Sequence, residues 1–391
     1  MTNHANNMIN ELIETLKNLL ETKNKLSEVI KNPKLLLEGL TELKNMIEMD
    51  TIKLTVVEQV KLLITNKSIN ADNSHMLHCV LSGKPGQGKT TVARILAKIW
   101  ISLDMIKKSS KSSNKTYVEL LEKSVIDSDY KINKIIKGLN TQSVIVKELN
   151  KNVKNVKKLS RDLRFNIDKL IDIIDVEVEP EIEDKIPFVI ATREDMVASY
   201  LGQTAPKTKA LLERAAGGVL FIDEAYSLYN SDRDSFGEEC LNVINEFMSL
   251  RSDEIIIIFA GYKDLMMNSI FRVQQGLYRR CMWFFEIKDY SLPALSQIFK
   301  KQLESRHWKL EDMNLEKILV KYKHVLKNAG DTEKLVFQVK IAYAEYYFDQ
   351  TLLNTLNNNI ITSQMIVKGI EKLIRNHPVM TIDEPPYHMY T

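Results

Sequence analysis

Cysteine is nearly missing from this chain: three residues in 391, Cys79, Cys240 and Cys281, stand far apart. That spacing excludes a disulfide framework and a thiolate metal cluster, and it suits a reducing compartment. The seven histidines are equally scattered, so no zinc site is expected. Neither sign of charge dominates: 54 basic against 51 acidic residues, formal net charge +3, argues for no particular partner. Long apolar runs are lacking too. The most apolar stretch, Ile255-Ile256-Ile257-Ile258-Phe259-Ala260, is far too short to span a bilayer and should be a core strand. The opening segment Met1 to Asn7 leads into an amphipathic stretch with no continuous apolar region, so no signal peptide is expected. A soluble, cytoplasmic chain of two or three domains is the expectation.

What is present is more specific. Gly83-Lys84-Pro85-Gly86-Gln87-Gly88-Lys89-Thr90 fits the phosphate-binding pattern G-x-x-x-x-G-K-[ST]. The apolar run Cys79-Val80-Leu81 before it reads as a buried strand, and Thr91 to Trp100 after it has helical periodicity. A strand feeding a glycine turn that opens a helix is the context the motif needs. The glycines let backbone N–H groups curl around phosphates, and the helix N-terminus adds positive partial charge. Lys89 should reach the β- and γ-phosphates of a nucleotide, and Thr90 should sit on Mg²⁺. A second element lies downstream, Val219-Leu220-Phe221-Ile222-Asp223-Glu224: four apolar residues, as in a strand buried on both faces, ending in two carboxylates. On its own an Asp-Glu pair after a strand is a solvated turn. With the phosphate loop upstream, Asp223 becomes a metal partner and Glu224 the group that polarises an attacking water.

The remaining pattern frames these motifs. Residues 1–48 read as helices, with apolar stripes Leu12, Ile13, Leu16, Leu19, Leu20 and Leu36, Leu40, Leu43, Ile47, broken at Pro33. An α/β core is expected over 49–290, interrupted by a helical insert at about 105–185. In the insert, apolar residues from Leu149 to Ile174 repeat at spacings of three and four, as in a coiled coil. The polar face of that repeat is basic, including Lys147, Lys151, Lys154, Arg161 and Arg164, and an acidic run follows from Asp172 to Asp184. Such a stripe either contacts nucleic acid or an acidic partner, or is the solvated face of a helical hairpin; the second is the simpler reading. Strands are expected at Pro187 to Ile190, Glu254 to Ala260 and Trp283 to Ile287. Thr192 and Asp195 form a capping box, and a short loop spans Ser199 to Thr204. Residues 291–391 read as a helical lid and a Pro-containing tail.

Three stretches carry a resemblance: Tyr200 to Thr208, Gly217 to Leu228, and Phe259-Ala260-Gly261-Tyr262-Lys263-Asp264. Together with the phosphate loop they resemble the CbbX/CfxQ branch of AAA+ ATPases, over about residues 49–104 and 186–300. The resemblance implies a P-loop α/β domain with a central parallel sheet and a small all-helical lid. It implies ATP and Mg²⁺ as ligands, a ring of copies (a hexamer favoured), and a protein client remodelled or threaded through a central pore. By resemblance, Gly83 to Thr91 bind the nucleotide, Thr90 and Asp223 hold the metal, and Lys89 and Glu224 are catalytic. Arg280 looks like the arginine finger that reaches a neighbouring subunit, with Arg279 beside it, and Tyr200 like the aromatic of the pore loop. Asp50 and Ile52 fall where the family's linker approaches the adenine. Two places depart from the pattern. Tyr262 stands near the position where related ATPases place a water-positioning Asn. In the lid, Gly330-Asp331-Thr332-Glu333-Lys334 stands where a Gly-Asn-x-Arg sensor is usual, with Glu333 at the arginine position and Lys334 next to it. Two other functions stay open at this point: a nucleotide-gated scaffold, and a nucleic-acid-linked ATPase that uses the basic insert.

Overall fold

Side-chain alternation with a period of two organises the centre of the molecule. Every residue of Val219–Ile222 and of Ile256–Gly261 is buried. Successive side chains leave a strand on opposite faces, so such strands need cover on both. Val219, Phe221, Ile256, Ile258 and Ala260 join one apolar cluster, while Leu220, Ile222, Ile257 and Phe259 join a second.

The computed structural model describes residues 2–21, 30–69, 77–106, 188–231, 233–352 and 359–376. The coiled-coil-like repeat, its basic stripe, the acidic run and the Pro-containing tail lie outside the described residues. In chain order the principal elements are α1 (Thr2–Glu21), α2 (Pro33–Asn45), α3 (Asp50–Ser68), β1 (Cys79–Ser82), α4 (Lys89–Ser102), β2 (Phe188–Ala191) and α5 (Arg193–Met196). They continue with α6 (Thr204–Ala215), β3 (Val219–Ile222), α7 (Ser235–Leu250), β4 (Ile256–Gly261), α8 (Lys263–Asn268), α9 (Ile270–Val273), α10 (Gln275–Arg280) and β5 (Trp283–Glu286). The lid holds α11 (Leu292–Glu304), β6 (Lys309–Leu310), α12 (Leu315–Leu319), α13 (Ala329–Leu352), β7 (Ile360–Ile361) and α14 (Ser363–Asn376).

The main sheet has five strands in the order β2-β3-β4-β1-β5, and every pairing in it is parallel. The strand that feeds the phosphate loop, β1, lies between β4 and β5, with Cys79 opposite Ile258 on one side and Trp283 on the other. The chain leaves β1 toward the far edge and later returns to its other side. That reversal opens a crevice at the carboxyl ends of the strands, where α/β sheets bind ligands.

The N-terminal helices share the first cluster with α4. Ala has no room at Gly39, since its Cβ would lie 2.9 Å from Ile99 Cγ1, so α2 crosses tightly against α4. Lys98 of α4 reaches Glu38 at 2.8 Å and Glu42 at 2.6 Å on α2. Pro33 sits in the first turn of α2, where its missing N–H costs nothing, and Asn32 caps that turn by accepting from the Leu35 N–H at 3.0 Å. The Lys53 side chain is buried, yet its ammonium donates to Asn6 Oδ1 at 2.9 Å and Met46 O at 2.7 Å. Burial lowers its pKa, against the opposing pull of Asp50.

Among the described residues the lid is helical apart from a two-residue parallel ladder, which pairs Lys309 with Ile360 and Leu310 with Ile361. The expectation of an uninterrupted helical pattern after Ser291 missed it, because strands this short carry no periodicity.

Candidate functional site

β1 ends at Ser82, level with Gly261 of β4, and the Gly83 N–H donates to Gly261 O at 3.1 Å. The loop then turns through two left-handed residues, Gly86 at φ +73° and Gly88 at φ +88°. Only glycine adopts such angles without strain. A side chain at position 88 would project into a space whose nearest atom is Tyr290 Oη at 3.9 Å. This open cradle faces the N-terminus of α4. Lys89 begins that helix, and its ammonium donates to the carbonyls of Gly83 at 2.9 Å and Lys84 at 3.1 Å. Thr90 is half-buried beside it, and Thr91 is exposed.

The second motif meets the first here. Burial lowers the Lys89 pKa, while the charges of Asp223 and Glu224 pull it back up, so this cation is in the field of both carboxylates. Asp223 leaves β3 with its N–H on Ala191 O at 2.9 Å. Glu224 is exposed and left-handed at φ +48°, and its N–H donates to Asp223 Oδ1 at 3.1 Å. A non-glycine residue in that region is strained, and such outliers concentrate at functional sites. Tyr262, at the end of β4, borders the same place: burial and the charge of Glu224 raise its hydroxyl pKa.

The loop is gripped from two further directions. From the lid, the Gly330 N–H donates to Gly86 O at 3.2 Å, and a Cβ on Gly86 would come within 2.8 Å of Asn328 Oδ1. From the segment after β5, Asp289 bonds Lys84 and Gln87, and the Tyr290 hydroxyl donates to Gln87 O at 3.0 Å. Neither Asn328, Asp289 nor Tyr290 belongs to a motif; only their places just after β5 and at the start of α13 could have flagged them. Of the lid residues singled out in the sequence, Gly330 thus meets the loop, while Glu333 and Lys334 are engaged elsewhere. Glu333 pairs with Arg306, and Lys334 is largely exposed, 3.8 Å from Asp331. At the linker, Ile52 is buried and Asp50 Oδ1 is a buried acceptor without a partner among the described residues.

The remaining candidates sit elsewhere. Arg280 ends α10 half-buried, its guanidinium donating to Asn245 Oδ1 and Gly276 O, each at 2.9 Å. Arg279 is exposed. Tyr200 and Leu201 form a bare loop tip, 71% and 85% exposed, next to Gly202 at φ +75°. The base of that loop is fastened. The capping box is present, with the Thr192 N–H on Asp195 Oδ2 at 2.9 Å. Thr208 Oγ1 donates to Met196 O at 2.9 Å, and Arg193 donates to Asp234 at 2.7 and 3.1 Å.

The residues present fit a nucleoside triphosphate with its magnesium. A side chain at position 88 would intrude on the open cradle before α4, the half-buried Lys89 ammonium borders it, and Thr90 and Asp223 supply the hard oxygen donors Mg²⁺ prefers.

Comparison with known proteins agrees with this geometry. A family model described as "ATPase family associated with various cellular activities (AAA)" matches residues 79–196 and 177–282. The chain is 43% identical over 123 residues to the protein CfxQ homolog of Guillardia theta, covering 31% of this chain and 42% of that one. It is 41% identical over 123 residues to protein CbbX of Cereibacter sphaeroides, covering 31% and 40%. It is 40% identical over 126 residues to a chloroplastic ribulose bisphosphate carboxylase/oxygenase activase of Cyanidioschyzon merolae, covering 32% and 40%. The chain thus spans less than half the length of these three relatives. Among solved structures, the Thermotoga maritima RuvB Holliday junction branch migration motor matches 81% of this chain and 68% of its own at 15% identity and a TM-score of 0.42, too loose to bear on function. The chain belongs to the AAA family of ATPases, and the relatives it matches at about 40% identity are named CfxQ, CbxX and CbbX.

Proposed function

We propose that this chain is an ATP-hydrolysing motor that assembles as a ring, with six copies favoured, and remodels or threads a protein client. One observation carries the reading: the Lys89 ammonium sits in the phosphate loop within the field of both Asp223 and Glu224. Two motifs that stand more than 120 positions apart in the chain meet here.

In that site the loop N–H groups and Lys89 hold the β- and γ-phosphates. Mg²⁺ bound by Thr90 and Asp223 would supply positive charge to the phosphate oxygens. Glu224 accepts a proton from water as the water oxygen bonds the γ-phosphorus; the bond to the bridging oxygen breaks and ADP leaves with that electron pair. Arg280 would neutralise charge on the γ-phosphoryl of a neighbouring copy. Its Nη1 is held by Asn245 and Gly276 within its own chain, so this role falls to the Nε and Nη2 groups of Arg280 or to the neighbouring Arg279. Tyr200, exposed on a short loop, suits non-specific grip on a polypeptide through apolar and stacking contact.

Glu224→Gln tests the chemistry. ATP binding should persist while turnover falls at least ~100-fold, the usual scale for removing a group that acts in the transition state. Wild-type turnover in that variant would remove Glu224 from the mechanism.

A further inference from the structure

We infer that Asp289 is a positioning residue for the phosphate loop, acting through the side chain of Gln87. Gln87 is 1% exposed, and a buried amide must find partners for both its ends. Its oxygen accepts from the Lys84 N–H at 2.7 Å, and its nitrogen donates to Asp289 Oδ1 at 2.7 Å. An ionised carboxylate only accepts, so Asp289 selects the NH₂ end of the amide and turns the oxygen toward Lys84. That choice closes the first turn of the loop. With the amide reversed, its NH₂ would face the Lys84 N–H, donor against donor. The brace also explains Gly83, where a Cβ would lie 2.7 Å from Gln87 Oε1.

Three neighbouring contacts agree. Asp289 Oδ2 takes the Lys84 ammonium at 2.7 Å, an exposed pair of small energetic weight that nonetheless keeps that cation beside the strap. The next residue, Tyr290, bonds the backbone carbonyl of Gln87 at 3.0 Å; burial and the charge of Glu48 push its hydroxyl pKa up to about 12, so it stays a donor. Ser291 then caps α11 by accepting from the Ala294 N–H at 3.3 Å. The strap therefore runs without a break from the buried loop glutamine to the first helix of the lid.

The inference rests on the proposed ATP site, and its test separates the two. A ribose-labelled fluorescent ATP with Mg²⁺ is titrated into the full chain and its variants, with urea midpoints measured alongside. Asp289→Ala should weaken binding about tenfold, the scale of one charge-assisted hydrogen bond. Asp289→Asn, which keeps an acceptor for the Gln87 NH₂, should restore affinity to within about threefold of wild type. Gln87→Ala should cost as much as Asp289→Ala, and the double variant no more than either, because both act through one brace. Undiminished binding by Asp289→Ala, an Asn variant as weak as the Ala variant, or additive losses in the double variant would each overturn the inference. A wild-type chain that binds no labelled ATP would overturn the ATP site itself.

Discussion

Two loops of this chain are built on opposite plans. The phosphate loop, Gly83 to Gly88, is held from the sheet by Gly261, from the strap by Asp289 and Tyr290, and from the lid by Gly330. The loop from Ser199 to Gln203 is fastened mainly at its base, by Thr192, Asp195, Arg193, Thr204 and Thr208, and its apolar tip stands in solvent. Phosphate chemistry needs N–H groups fixed to within fractions of an ångström, so a loop that serves it is pinned throughout. A loop that grips a changing polypeptide needs a firm root and a free end. Exposed Tyr and Leu side chains at the tip add nothing to the buried core, and in the proposed motor they are the groups free to touch another chain.

The comparison can be broken at the root, at the pin and at the tip, in falling order of effect. At the root, Asp234 is the hub: its carboxylate takes Arg193 and the N–H groups of Asn230 at 3.0 Å and Gly237 at 2.9 Å. Asp234→Ala leaves Arg193 without its counter-charge and should cost about 3 kcal/mol in urea unfolding. Burial raises the Asp234 pKa, but Arg193 and the two N–H groups outweigh it and leave it below the ordinary 3.8. A carboxyl with a depressed folded pKa stabilises fully above its unfolded value. The gap between wild type and Asp234→Ala should therefore be whole above pH 3.8 and close as pH falls through the lower folded value.

At the pin, Gly86→Ala places a Cβ 2.8 Å from Asn328 Oδ1 on a residue at φ +73°. The left-handed strain alone is about 1–2 kcal/mol, so labelled ATP should bind about tenfold more weakly. Unchanged affinity would show that the lid does not press on the loop when nucleotide is bound. At the tip, Tyr200→Ala should change the free energy of urea unfolding by less than about 0.5 kcal/mol and leave ATP affinity alone, as for surface positions generally. Client processing should stop. Client processing at the wild-type rate would sink the gripping role and favour a scaffold gated by nucleotide.

The contrast also explains what could be foreseen. The loop, the carboxylate pair and the five strands were legible because each rests on local rules: glycine spacing, unbroken apolar runs, a strand that ends in acid. The capping box at Thr192 was legible for the same reason. Asp289, Tyr290 and Asn328 were not, because their importance comes from packing against a loop some 200 positions away in the chain. The Lys309–Leu310 and Ile360–Ile361 ladder escaped because two residues set no pattern. Arg280 was singled out by the family resemblance, and only the structure reveals that Asn245 already holds it.

The most direct measurement is steady-state ATP hydrolysis across a series of protein concentrations, with Glu224→Gln as the blank. A ring that shares its sites between copies should show turnover per chain that rises cooperatively with concentration and stands far above the blank. Turnover per chain that is flat with concentration would contradict a shared site, and turnover equal to the blank despite bound ATP would contradict the motor.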